Sequence, residues 1–310
     1  MTKIVRKHTD DEGLLFYDFV VEKEASGLSK KSIKNYKEVY SLFVKEVGQK
    51  ISKKTISNWI HQMIDSGKNP ISINYYICQI RVFAYWLIKK GYCENFEIKK
   101  IKTQEPQLKT ISDEDINVLL EKPALKCSFS EYRSWVIINF ILGTGARAST
   151  VMNTKVEDVD FSSKEIRYTH LKNKKSAIVP LSNSLERVLK TYLNSWEIGN
   201  GYLFPEIHGG KLTLSGLEQA IRKFVKSRGI KYKGVHAFRH TFAKKYVVNG
   251  GNVFSLQRLL THTDLTMTKK YVHLFSSDLK IGYDDICPLD SYHKSSVLIK
   301  RKSNWNTIYS

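Results

Sequence analysis

The chain has 310 residues, 42% hydrophobic and 26% charged, which suits one large core or two smaller ones and argues against wholesale disorder. Fifty Lys and Arg against thirty Asp and Glu leave a net charge of +20, an excess that repels itself unless an anionic partner offsets it. Four scattered cysteines form no CxxC pair, so neither a disulfide framework nor a zinc ribbon is expected, and a reducing cytoplasm is. Residues 1–15 contain no apolar run of the kind that leads a secreted chain, and the longest apolar stretch, Ser134–Gly143, is too short to cross a bilayer. A soluble protein with no membrane partner is the expectation. The basic residues are spread along the whole chain, not gathered on one amphipathic helix, which favours nucleic acid over a membrane surface. A lysine-rich solvated surface is the alternative that charge alone leaves open.

The first hundred residues read as helical throughout. "LLFYDFVVEKEA", from Leu14, has apolar residues at helical spacing. A second helix starts after Ser29, a good N-cap, and stops at Gly48; its apolar positions Ile33, Tyr36, Val39, Tyr40, Phe43 and Val44 share a face. A third runs from Ser52 to Gly67, and a long fourth follows Pro70 and closes at Gly91. Four helices with short connections predict a compact bundle, and Lys30, Lys31, Lys34 and Arg81 on their flanks are candidate DNA contacts. The polar, proline-containing stretch that follows suits a linker. The expected boundaries are a helical domain over 1–102, a linker at 103–111, a second domain over 112–275 and a tail at 276–310.

The second domain is mixed. Ser112 caps a helix whose first turn is acidic, and "SEYRSWVIINFILGTG" reads as a buried helix ended by glycines. "KEIRYTHLKNKKSAIVPL" predicts two short strands around a lysine-rich turn, between Glu165 and Leu181. Helices are predicted at roughly 183–196, 213–228, 236–248, 253–261 and 264–274. The fold class is therefore mainly α with a small β-sheet.

Three short stretches could carry phosphate chemistry. Displacement at a phosphodiester needs cations around phosphorus, an in-line nucleophile and a proton donor for the departing oxygen. In "GVHAFRHTF", His236, Arg239 and His240 share a helical face, joining a charged fork for phosphate oxygens to groups that move protons near neutrality. The HxxxH spacing is also a zinc spacing, but no third ligand stands nearby; polar residues at a helix start would look the same. "GTGARASTVMN" aims Arg147 from the end of a buried helix. In "HTDLTMTKKY", Tyr271 lies nine residues after His262 and beside two lysines, which favour the phenolate that attack requires, although any tyrosine taken singly is more often a core aromatic.

Together these pieces resemble the tyrosine recombinase, or phage integrase, family over nearly the whole chain. That resemblance implies a helical core-binding domain followed by an α+β catalytic domain, and carries roles onto matching positions. "TGAR" supplies Arg147; "LKNKKSAIVPL", aligned on its VPL end, supplies Lys172, with Lys174 and Lys175 as neighbouring alternatives and DNA contacts. "HAFRH" supplies His236 and Arg239, "LLTHTDLTMT" supplies His262, and "KKY" supplies the nucleophile Tyr271. The implied reaction uses no metal, ATP or other cofactor. The implied partners are double-stranded DNA carrying a recombination site and three further copies of the chain; accessory factors are undefined. Two positions depart from the family pattern: Thr150 stands where an acidic residue is usual, and Thr261 where glycine is. Integration or excision of a mobile element is the favoured role, because the tail after Tyr271 is longer than compact Xer-like chains usually carry; the early start of the bundle speaks against the extra arm-binding domain of some phage integrases. Xer-type dimer resolution, a type IB topoisomerase and a catalytically inactive DNA-binding protein are the alternatives.

Overall fold

The computed structural model describes residues 12–103, 108–124, 126–169, 176–262, 268 and 271. The chain divides into two compact units, Met1–Pro106 and Gln107–Ser310.

The first unit is a four-helix bundle of α1 (Glu12–Ala25), α2 (Lys30–Val47), α3 (Lys53–Asp65) and α4 (Pro70–Lys90). Its helix ends follow from local chemistry. Ser29 accepts a hydrogen bond from the Ser32 amide, Ser52 and Thr55 form a reciprocal capping box, and Asn69 caps α4 with Pro70 at its first position. Apolar residues at three-and-four spacing then meet in an aromatic core. Phe16 stacks on Tyr40 with ring centroids 3.8 Å apart, Phe83 meets Phe16 edge-on, and Trp59 packs against Phe43.

The second unit is built around α6 (Phe129–Thr144), which is buried on every side, as its long apolar stretch predicts. Around it pack α5 (Asp113–Leu120), α8 (Asn183–Ser195), α9 (Leu214–Ser227) and α10 (Val235–Val248). A short helix α7 (Ala148–Asn153) follows α6, and α11 (Val253–Leu259) follows α10. Strands β1 (Val159–Asp160), β2 (Glu165–Tyr168) and β3 (Ala177–Pro180) form an antiparallel sheet in that order, with Ile166 opposite Val159 on one side and Val179 on the other. The sequence predicts only the β2–β3 hairpin. β1 has two residues and α7 six, both too short to show a period, and it is packing that holds them in place. The predicted helix at 264–274 lies mostly outside the described residues. No helix among the described residues is long and apolar enough to cross a membrane.

One turn governs how the elements of this unit meet. Gly145 ends α6 in the left-handed region at φ +67, and a Cβ placed there would lie 2.5 Å from Phe242 Cδ1 and 2.8 Å from Leu260 Cδ2. Glycine is thus required twice, for its backbone and for its lack of a side chain. Gly145→Ala is expected to lower stability by about 2–4 kcal/mol, from left-handed strain plus overpacking. Gly91→Ala, at φ +80 with open space around it, should cost only about 1 kcal/mol. Urea midpoints of the two variants test this; equal losses would refute the packing argument.

Candidate active site

The turn after α6 points Arg147 into a half-buried position at the N-cap of α7. Its guanidinium Nη1 donates to the Thr261 hydroxyl, and Nη1 and Nη2 each lie 3.4 Å from the Thr261 carbonyl oxygen. Arg239, from the middle of α10, is buried; its Nη1 donates to the Gly145 carbonyl at 2.6 Å and its Nη2 to the Leu260 carbonyl at 2.7 Å. Adjacent residues of one turn, Leu260 and Thr261, therefore hold both arginines.

That turn has a defined architecture. The Thr261 amide donates to Arg258 O and the His262 amide to Gln257 O at 3.0 Å, the paired bonds of a Schellman helix end. The position that such an end gives to glycine is Thr261, at φ +51. The motif places His262 directly beside Arg239, with Nε2 2.8 Å from Arg239 Nη2. Arginine can only donate, so Nε2 accepts, the imidazole proton sits on Nδ1, and Nδ1 donates to Thr268 Oγ1 at 2.9 Å.

Tyr271 completes the cluster. Its ring is buried against Ala243, Leu256 and Leu260, and its hydroxyl lies 2.8 Å from His240 Nδ1. His236 starts α10, its ring 6.4 Å from that of His240.

The electrostatics favour an incoming anion. Among the described residues no carboxylate pairs with Arg147 or Arg239. Burial pushes the Arg239 guanidinium down to about 9, and the nearby charge of Arg147 pushes the same way. Arg147 is also lowered, again by burial. Burial, then Arg239 and Arg147, push His262 down to about 4. His240 is lowered by burial, His236 and Arg239. His236 is exposed, yet the protein packed around its ring and the two arginines disfavour its imidazolium too. Burial raises the Tyr271 hydroxyl and outweighs the opposing pull of the arginines, so it is a neutral phenol at neutral pH.

The structure thus brings Arg147, Arg239, His262 and Tyr271 together, with His236 at the edge. Lys172, Lys174 and Lys175 fall at 170–175, outside the described residues; the flanking pair Tyr168 and Ala177 closes the hairpin, and β3 packs beside α11. Lys30, Lys31 and Lys34 are exposed on the first turns of α2, with Lys34 3.7 Å from Glu38, while Arg81 is half-buried on α4 over the Tyr85 ring. These four belong to the other unit. No group of three or more His, Cys, Asp or Glu among the described residues is placed to hold a metal. Thr150 is buried, its carbonyl accepting from the Thr154 amide and hydroxyl. Sequence reasoning puts His240 on the face of Arg239 without a role of its own, and leaves Thr261 and the carbonyls of Gly145 and Leu260 out of the site. His240 was visible as a face-mate of Arg239, whereas backbone acceptors leave no trace in residue types.

Residues 109–277 match the model of the phage integrase family. The chain is 27% identical over 281 residues to "Tyrosine recombinase XerD" of Staphylococcus haemolyticus, covering 84% of this chain and 94% of the relative. Among solved structures it resembles XerH site-specific recombinase bound to palindromic difH substrate, with TM-score 0.68, 21% identity and coverage of 84% and 82%. It also resembles the Tn1549 transposon integrase in complex with a circular intermediate DNA, with TM-score 0.67, 16% identity and coverage of 81% and 93%.

The depressed histidines make stability depend on pH with a definite sign. Below its ordinary value near 6.5 an unfolded histidine binds a proton, while folded His262 resists until about 4, so the unfolded state gains as pH falls. The melting temperature of the second unit should therefore be level above about pH 7 and fall between about pH 6.5 and 4. Replacing His262 with Asn should flatten part of that slope. An unchanged slope in the variant would show that His262 is not held neutral.

Proposed function

The chain belongs to the phage integrase family of tyrosine recombinases, and we propose that Tyr271 is the nucleophile with which it cuts and rejoins DNA at specific sites. One observation supports this reading: Arg147 and Arg239, with no carboxylate partner among the described residues, and Tyr271 gather around the turn after α11 that carries the neutral His262.

A phosphodiester entering the cluster supplies the acceptors that Arg147 and Arg239 now find in backbone carbonyls. The two guanidinium forks hold non-bridging oxygens and stabilise the charge that grows on them. The phosphate's negative charge also raises the neighbouring imidazoles, so His236 and His262 can donate hydrogen bonds to it. The Tyr271 oxygen attacks phosphorus, its proton having His240 Nδ1 within 2.8 Å to receive it. The bond from phosphorus to the 5′ oxygen breaks, and Lys172 protonates the leaving oxygen. The 3′-phosphotyrosyl link conserves the bond energy, so a 5′-hydroxyl from a second duplex rejoins the strand without ATP or metal.

The helical unit, as a core-binding domain, and the catalytic unit share the duplex. Lys30, Lys31, Lys34, Arg81, Lys174 and Lys175 meet backbone phosphates, and the +20 charge supports that partnership. Four protomers bring two sites together, the tail at 276–310 docking on a neighbouring copy, in the nucleoid of the cytoplasm. The outcome is integration or excision of a mobile element, the fold being common to the Tn1549 integrase and to XerH alike. The relative named XerD favours a second reading, resolution of chromosome or plasmid dimers.

Nicked duplexes of randomised sequence, incubated with the protein in EDTA, should yield detergent-stable protein–DNA adducts whose DNA defines the site. Tyr271→Phe should bind that site and give no adduct; undiminished adduct would refute the nucleophile. Arg147→Ala or Arg239→Ala should slow adduct formation by about 10²–10³-fold. Sequencing adducts recovered from cells separates the two roles: chromosomal dimer sites mean resolution, element ends mean integration.

A further inference from the structure

Thr261 occupies a position where its backbone conformation favours a different residue. It is the residue after the C-cap of α11 in a Schellman end, and its φ of +51 lies in the left-handed region. A β-branched side chain is strained there, and glycine adopts the same conformation without cost. Only two other described non-glycine residues have positive φ, Lys164 and Glu197, and both are unbranched at Cβ. Strain of this kind persists where something else requires the side chain.

The requirement is visible. The Thr261 hydroxyl accepts a hydrogen bond from Arg147 Nη1, beside the two longer contacts from that guanidinium to the Thr261 carbonyl. Among the described residues no carboxylate holds Arg147. Arg147 is a long side chain at a helix start, and without this hydroxyl the carbonyl contacts at 3.4 Å are what would restrain its planar group among the described residues. Fixing such a group in advance removes the entropy that would otherwise be lost when substrate arrives.

We propose that Thr261 is a positioning residue, kept in a strained backbone conformation because its hydroxyl orients the Arg147 guanidinium for the scissile phosphate. Glycine at this position relaxes the turn and frees the arginine. Serine keeps the hydroxyl. Valine keeps the branched shape and the strain but loses the acceptor. The inference rests on the recombinase reading above, in which Arg147 binds phosphate.

The test uses the full chain and the duplex recovered from wild-type adducts. Thr261→Gly should melt at a higher temperature than wild type yet form adduct at least 10-fold more slowly, a split that a purely structural role would not give. Thr261→Val should be slow as well, and Thr261→Ser should approach the wild-type rate. In an Arg147→Ala background, Thr261→Gly should cause no further loss, because its effect passes through that arginine. Tungstate, an oxyanion probe that needs no DNA, should raise the melting temperature of wild type more than that of Thr261→Gly. Wild-type adduct rates in both the Gly and Val variants, or additive losses with Arg147→Ala, would overturn the proposal. Wild-type protein that forms no adduct with any duplex would instead overturn the recombinase reading; an equal tungstate shift in wild type and Thr261→Gly would then overturn this inference too.

Discussion

Two arginines lie close together beneath the surface of the second unit with no carboxylate among the described residues to neutralise them, and the rest of the site follows from how that is tolerated. Burying a cation is costly unless hydrogen-bond acceptors replace water. Here the acceptors are carbonyls at helix ends, Gly145 after α6 and Leu260 and Thr261 after α11. The last carbonyls of a helix are unsatisfied within it and carry the negative end of its dipole, so they suit a guanidinium in geometry and in sign. Such acceptors give hydrogen bonds without cancelling the charge. A carboxylate would do both, and would leave less attraction for a phosphate.

The same device sets the protonation of its neighbours. Because Arg239 donates to His262 Nε2, the imidazole keeps its proton on Nδ1 and stays neutral, and Thr268 receives that proton's hydrogen bond. Tyr271 is a buried phenol in contact with His240. The resting site is therefore a set of neutral acids and bases grouped around two fixed positive charges. Under the proposed reaction an anion would alter all of them together, since it would replace the carbonyls, favour imidazolium and bring phosphorus to the phenol. Coupling of that order would link chemistry to correct substrate placement without a separate gate.

Much of this was legible from residue types and spacing. The bundle could be read from serine caps, from Pro70 and from the glycine stops after α2 and α4, and the buried helix α6 from its apolar stretch. Arg147, His236, Arg239, His262 and Tyr271 stood out as a set through the family's motif order, each motif being weak alone, and the structure gathers four of them with His236 at the edge. What stayed hidden depends on backbone groups and on packing. No spacing rule marks the carbonyls of Gly145 and Leu260 as ligands for Arg239. Thr261 stood out only as a departure from pattern, and its left-handed backbone gives that departure a physical content. The short elements α7 and β1 escaped because six and two residues carry no measurable period. The expected active-site lysine, Lys172, rests on the family resemblance and lies outside the described residues.

Gly145 ties the interior of the protein to its chemistry. Its carbonyl holds Arg239, its turn aims Arg147 two residues later, and its bare Cα faces Phe242 and Leu260. The separation between the two cations is therefore set by how α6 sits in its surroundings, and α6 is seated by fully buried side chains such as Phe140 and Ile141. A methylene gained or lost beneath that helix can displace a guanidinium without touching any polar group. Sites of this construction have no sharp border between scaffold and reagent, and inactivating substitutions in such a chain should arise inside the core as readily as at the surface where DNA would lie.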